Sequence, residues 1–249
     1  MDVRALLGLK ALDDVRSALF VQPHPDDNEV GAGGTMAKLA AQGCRVVAVT
    51  VTDGRYGAVG PVQPADLARR RQEELAAACA ALGIREHIEF GFEDLGSYTE
   101  MDVIEKLVPV LLDIRPEVVV TVDPWTPYEA HPDHVKTGRA VAACAIRLAS
   151  LTVPQTLPAY VPPMFAFYAS AYPNTAVDVT DHWHAKIRAI ETHASQFGTR
   201  EWPMLKAYLE HQARAAAERF LDAPDGRLAE SFKLLSPRQL HFFPDAMTS

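Results

Sequence analysis

The sequence predicts an α/β fold: a Rossmann-like three-layer αβα arrangement with a mostly parallel sheet and a C-terminal elaboration. Three observations carry this. Short β-branched apolar runs alternate with longer helical patterns through the first 150 residues. Helical patterns close on glycine, at Gly43 and Gly83. Polar clusters follow the apolar runs, at the carboxyl ends where open parallel sheets place their ligands.

The elements follow in order. Ser17–Gln22 is a short apolar strand, and Glu29–Gln42 is helical up to Gly43. Arg45–Thr52 is strongly β-branched, the pattern of a buried parallel strand. Gly54–Pro64 holds three Gly and two Pro and reads as a loop. A helix over Ala65–Leu82, a strand over Glu86–Phe90 and a helix over Met101–Ile114 come next, the last broken by Arg115-Pro116. Glu117–Val122 is another parallel-type strand, Asp123–Ala130 a loop, and Pro132–Ala149 a helix with proline in its first turn. Beyond a Pro-rich connection at Leu157–Pro163 the pattern is less regular. Met164–Ser170 and Thr175–Val179 read as strands, Asp181 as the cap of a helix to about Gln196, and Trp202–Leu221 as a helix. The tail Leu228–Phe243 reads as short strands or a segment that wraps a neighbour. The expectation is one domain over 1–249, with a core in 1–150 and the elaboration in 151–249.

Composition narrows the function. The chain of 249 residues is 48% hydrophobic and 22% charged, enough for a full core without staples. With 24 basic and 32 acidic residues the net charge is -8, which argues against nucleic acid. Cys44, Cys79 and Cys144 are odd in number and widely spaced, so a disulfide framework or zinc ribbon is not expected. No stretch has signal-peptide character or approaches the ~20 apolar residues of a membrane span. The expectation is a reduced, cytoplasmic protein.

Two polar clusters then stand out. His24-Pro25-Asp26-Asp27 follows the first strand, and His131-Pro132-Asp133-His134 opens the helix after Glu117–Val122. If the two strands are neighbours at a topological switch point, both clusters reach one crevice. Together they offer a His, Asp and His ligand set, with one His and at least one Asp left over. That is the donor set of a catalytic zinc, and it also suits non-heme iron (Fe2+). The spare carboxylate is placed to accept a proton from water, and the spare His to face a developing oxyanion. The plain alternative is a pair of turns in which Asp caps the following helix.

Asp53-Gly54-Arg55 and Glu93-Asp94 end two further strands and line the same crevice or form ordinary turns. Arg69-Arg70-Arg71 opens a helix from which one arginine reaches the site while the others are solvated. Gly31-Ala32-Gly33-Gly34 lacks dinucleotide spacing and is better explained by close helix packing. The absence of Gly-x-Ser-x-Gly disfavours a serine hydrolase. His87, His182, His184, His193 and His211 read as surface or capping residues.

At these residues the chain resembles the PIG-L/LmbE-like family of metal-dependent N-acetylglucosaminyl deacetylases. The matching pieces are Pro23-His24-Pro25-Asp26-Asp27-Asn28-Glu29, Gly33-Gly34-Thr35, Thr52-Asp53-Gly54, Arg69-Arg70-Arg71-Gln72-Glu73 and His131-Pro132-Asp133-His134. Asp123-Pro124-Trp125-Thr126-Pro127-Tyr128-Glu129-Ala130 and His193-Ala194-Ser195-Gln196-Phe197 are similar to the diacetylchitobiose deacetylase branch. The resemblance implies that His24, Asp27 and His134 bind Zn2+ and that Asp26 is the general base. It implies that His131 stabilises the oxyanion or protonates the leaving amine, with Asp133 tuning it. Arg69, Asp94 and Asp53 fall to the sugar side of the site, and His241 resembles a residue that reaches a neighbouring subunit's site. It also implies a homo-oligomer, a hexamer or trimer.

The function expected is hydrolysis of the N-acetyl group of a GlcNAc-containing sugar, GlcNAc or diacetylchitobiose. Alternatives are another glucosaminide, such as GlcNAc-malate or an antibiotic intermediate, and a metal-stabilised sugar-binding protein without turnover.

Overall fold

The computed structural model describes residues 3–57, 60–152, 160–222 and 224–249. A four-residue helix, α1 (Val3–Leu6), which the sequence pattern does not announce, precedes an alternating run. The run comprises β1 (Ser17–Gln22), α2 (Asp27–Ala41), β2 (Arg45–Thr52), α3 (Pro64–Ala81), β3 (Glu86–Phe92), α4 (Glu100–Ile114), β4 (Val118–Val122) and α5 (Pro132–Thr152). The elaboration adds β5 (Met164–Tyr168), β6 (Thr175–Asp178), α6 (Trp183–Thr192), α7 (Ala194–Phe197), α8 (Trp202–Phe220) and β7 (Ala229–Leu235). Of the expected Pro-rich connection, residues 157–159 lie outside the described residues.

The sheet has seven strands in the order β3-β2-β1-β4-β5-β7-β6. Pairing is parallel from β3 to β5, and β7 runs antiparallel to both β5 and β6. β1 lies between β2 and β4, with Ala18 opposite both Val46 and Val118. β4 is buried throughout and β1 nearly so, which is why both read as unbroken apolar runs rather than alternating ones. Phe20, Met36, Leu39, Leu75, Ile187 and Ile190 pack on one face under α2, α3 and α6. Leu19, Val21, Leu107, Leu111, Val141 and Leu148 pack on the other, under α4 and α5. These are the three layers expected. From β1 the chain winds out to β2 and β3, then returns to β4 and β5. The crevice beyond the carboxyl ends of β1 and β4 is therefore the switch point.

α2 begins two residues earlier than its pattern predicts, so Asp27 is its first residue and Asp26 its N-cap. It ends as expected. Gly43, with φ 81°, supports a Schellman motif in which the Cys44 N–H donates to the Leu39 carbonyl at 3.0 Å. The glycine cluster packs closely, as the sequence implies. A β-carbon on Gly31 would fall 2.3 Å from the Tyr168 ring, and one on Gly34 would fall 2.7 Å from Val179.

Two expectations in the elaboration are corrected. Asp181 caps no helix; it lies in a 3-10 turn over Thr180–His182, and α6 starts at Trp183. The helix expected to run to Gln196 breaks at His193, where φ −77° and ψ 56° leave the helical region, before α7 resumes. Of the two readings of the tail, the strand is realised. β7 inserts between β5 and β6, and its buried Glu230 accepts the N–H groups of Gly34 (2.9 Å) and Thr35 (2.7 Å), the Thr35 hydroxyl (2.6 Å) and Lys186 Nζ (2.6 Å).

Candidate metal centre and active site

Both polar clusters open on the switch-point crevice. β1 delivers His24 to Asp27 through a tight turn, and the loop after β4 delivers His131 to His134 at the start of α5. The rings of His24, His131 and His134 are mutual neighbours, with centroids 4.5, 4.9 and 5.3 Å apart.

Asp27 lies between two of them. Its Oδ2 is 3.2 Å from His24 Nδ1 and its Oδ1 is 3.5 Å from His134 Nε2. The far nitrogen of each ring faces a different carboxylate. His24 Nε2 is 3.2 Å from Asp94 Oδ1 and 3.4 Å from Asp133 Oδ2, and His134 Nδ1 is 3.0 Å from Glu129 Oε2. A ring that donates its far N–H to a carboxylate turns its lone pair the other way, here toward Asp27. Two ligands of a tetrahedral zinc, bonded at about 2.0–2.1 Å, lie about 3.3 Å apart, close to the two Asp27 separations. The cluster of three imidazoles, with an Asp27 oxygen facing each of two of them, therefore has the donor chemistry of a divalent-cation site.

Two groups bring their ligand atoms within 4.8 Å of one another: His24, His131 and His134, and His24, Asp94, His131 and Asp133. The carboxylates of the second are already engaged. Asp94 Oδ2 accepts the Tyr56 N–H at 3.0 Å, while Asp133 accepts the Leu95 N–H and the Tyr98 hydroxyl, both at 2.8 Å. These two acids act as outer partners that orient His24.

Without an ion, the same carboxylates favour a proton on His24, which a cation would displace. Burial opposes a charge on His24, but Asp133, Asp27 and Asp94 outweigh it and hold its pKa well above the ordinary value. Burial likewise opposes ionisation of Asp27, and the His24 contact reverses this and holds its carboxyl well below the usual range. Glu129 is also lowered, against its own burial, by the His131 N–H and by His134.

Asp26 behaves differently. Its φ of 135° is a conformation side chains rarely adopt, and its carboxylate makes no capping hydrogen bond to α2. The capping-turn alternative therefore fails at this residue. The Asn28 N–H at the helix start is satisfied instead by Gln22 Oε1 at 2.7 Å. Asp26 Oδ2 accepts from Arg71 Nη2 at 2.9 Å, and burial pushes the carboxyl up to about 7 despite that arginine. His131 completes the wall. Its Nδ1 accepts the Asp133 N–H at 3.3 Å, which places its own proton on Nε2. Burial and the neighbouring imidazoles of His24 and His134 lower its pKa. His24, Asp26, Arg71, Asp94, His131 and Gln196 are among the residues lining a cavity of about 230 Å³.

Several placements differ from the sequence expectation. Arg69 points to solvent beside Asp66; the arginine that enters the site is Arg71, 3% exposed and bonded to the carbonyls of Pro25 and Gly54 as well as to Asp26. The Asp133 carboxylate addresses His24, and only its backbone N–H meets His131. Asp94 lines the cavity, but both its oxygens are bonded within the protein. Asp53 braces Arg55 and the Asp94 N–H and is not among the cavity-lining residues. His241 lies exposed in the tail. His193, read as a surface residue, is fully buried with its Nε2 3.7 Å from Glu29 Oε2. Glu129, Tyr98 and Gln196 are participants to which the sequence reading assigns no role.

Residues 19–145 match the family described as GlcNAc-PI de-N-acetylase, PIG-L, and so span both clusters. The chain belongs to the PIG-L family. A diacetylchitobiose deacetylase from Thermococcus kodakarensis is 35% identical over 94% of this PIG-L chain and 88% of its own. The N,N'-diacetylchitobiose deacetylase of Pyrococcus horikoshii, solved with an inhibitor, superposes with a TM-score of 0.86 at 29% identity, covering 97% of this chain and 92% of that one. A 1D-myo-inositol 2-acetamido-2-deoxy-alpha-D-glucopyranoside deacetylase from Kineococcus radiotolerans is 33% identical over 59% of this chain and 49% of its own. These PIG-L relatives are deacetylases, hydrolases of linear amides. Among the described residues no helix is long and apolar enough to cross a membrane.

Proposed function

We propose that this protein is a zinc-dependent amidohydrolase that removes the acetyl group from a GlcNAc-containing sugar, GlcNAc or diacetylchitobiose, releasing acetate and a glucosamine product. The observation that carries the reading is the division of labour between adjacent aspartates: Asp27 faces two carboxylate-backed imidazoles, while Asp26 is turned away onto Arg71. Similarity to the Thermococcus and Pyrococcus deacetylases along nearly the whole chain supports the substrate.

His24, Asp27 and His134 would hold a divalent cation, which would supply Lewis acidity toward water and the acetyl carbonyl. The protein's own groups do the rest. Asp26 accepts the proton of the attacking water at its carboxylate, and a pKa raised by burial suits a base working near neutrality. Arg71 holds that carboxylate in place. His131, with its proton on Nε2, donates a hydrogen bond to the oxyanion, and the proton that Asp26 took from water passes to the departing amine nitrogen. Asp94 and Asp133 hold His24 in one tautomer. His241, exposed in the tail, is free to meet a neighbouring copy in a cytoplasmic hexamer or trimer. The similarity to the inositol glucosaminide deacetylase favours a second reading, the same cleavage on a different glucosaminide.

Asp26→Asn tests the base. The variant is expected to keep its zinc and lose roughly 10²–10⁴-fold in kcat on diacetylchitobiose. Metal-replete Asp26→Asn with full activity would remove Asp26 from that role, and an inactive parent protein on GlcNAc and diacetylchitobiose with turnover of GlcNAc-inositol or GlcNAc-malate would move the substrate.

A further inference from the structure

We propose that Glu129 is a positioning residue that sets the tautomer and aim of His134 while anchoring the backbone of His131. The proposal rests on the metal reading of the site. Its two oxygens are divided between the two histidines: Oε1 accepts the His131 N–H at 2.8 Å, and Oε2 faces His134 Nδ1 at 3.0 Å. One carboxylate thus fixes the ring set to hold the ion and the chain position of the ring set to face the oxyanion.

Three further features support this. First, a neutral imidazole in water has no strong preference for one nitrogen, and the partner of the other nitrogen decides. For His134, Glu129 takes the proton on Nδ1 and leaves the Nε2 lone pair directed at Asp27 Oδ1, 3.5 Å away. Second, His24 has its own outer carboxylates in Asp94 and Asp133, so each imidazole of the ligand set has an acid behind it, and Glu129 is the one assigned to His134. Third, the loop is strained in order to present it. Tyr128 has φ 71°, a left-handed conformation that disfavours a bulky side chain, yet its ring is fully exposed and gains no burial in return. The strained turn delivers the next residue, Glu129, back under the two histidines, with its N–H on the Thr126 carbonyl at 3.2 Å.

Glu129→Gln keeps the size and one acceptor but places an amide N–H₂ against a donor. The experiment measures zinc affinity by chelator competition, the visible spectrum of the Co2+-substituted protein, and the thermal midpoint of the metal-free protein. Glu129→Gln is expected to weaken zinc binding about 10–100-fold and alter the cobalt spectrum, with the metal-free midpoint unchanged. Unchanged affinity and spectrum would overturn the proposal, and so would a metal-free variant that no longer folds, which would make Glu129 a structural residue. A parent protein that binds no divalent ion removes the metal reading and this proposal together. A parent that binds zinc but cleaves no N-acetyl sugar removes the substrate reading and leaves the affinity comparison to decide this one.

Discussion

The Arg71 guanidinium has three partners, the carbonyls of Gly54 and Pro25 and the Asp26 carboxylate, and the consequence can be read in a pair of substitutions. Arg71→Met leaves Asp26 buried without its cation, so its carboxyl takes up a proton more readily and ceases to act as a base. The expected loss in kcat/KM is about 10²-fold or more. Arg69→Ala, on the solvent side of the same helix, is expected to leave both kcat/KM and stability near those of the parent. Equal effects in steady-state assays would show that the buried guanidinium has no special role. That one of Arg69, Arg70 and Arg71 enters the site was legible, though the family resemblance pointed to Arg69. Leu67, Arg71 and Leu75 recur every fourth residue, so Arg71 lies on the apolar stripe of α3 and Arg69 does not. Glu129 was not legible, because its place under the histidines depends on a left-handed Tyr128 that no local pattern signals.

At the scale of elements, α2 is the piece that must be fixed, since it carries Asp26 and Asp27 on its first turn. Part of its anchoring comes from β7, through four donors converging on the fully engaged Glu230. Glu230→Ala strands buried Lys186 and two backbone N–H groups, at a cost of about 3–5 kcal/mol that urea unfolding measures. A loss below about 1 kcal/mol would mean that packing alone holds the helix. The core strands were readable because burial on both faces demands continuous β-branched runs. The position of β7 between β5 and β6 was not, because strand order is set by pairing between distant segments. The break at His193 was hidden for a similar reason: the Ala194–Phe197 turn is helical in pattern, and what interrupts it is tertiary, with Ser195 bonded to Glu74.

For the molecule as a whole, the switch point concentrates charge. Asp26, Asp27, Asp94, Glu129 and Asp133 gather where Arg71 and Lys136 are the nearby strong cations among the described contacts. A bound dication offsets this, and zinc at 100 times its dissociation constant is expected to add about 2.7 kcal/mol of stability. The sign of the pH dependence follows from His24. Its folded pKa is raised, so in the metal-free protein its proton stabilises the fold below the unfolded value of 6.5, and that contribution is lost as pH rises through the folded value. The ion needs the deprotonated ring. The zinc-induced rise in thermal midpoint should therefore be small at acid pH and grow as pH increases; calorimetry with zinc and with chelator checks this, and a rise that shrank with pH would contradict it. Here the sequence was most informative, since two short motifs at two strand ends were enough to locate the crevice.

The contact between α2 and β7 also has a history in time. On the ribosome, Gly34 emerges 196 residues before Glu230, its partner. At roughly 5–20 residues per second, the interval is about ten to forty seconds. Even after β2 and β4 have been made, the helix bearing both aspartates lacks its lock until Glu230 emerges. Between residues 134 and 230 an unfinished chain thus carries every histidine and aspartate of the centre without the strand that steadies the first of the two helices.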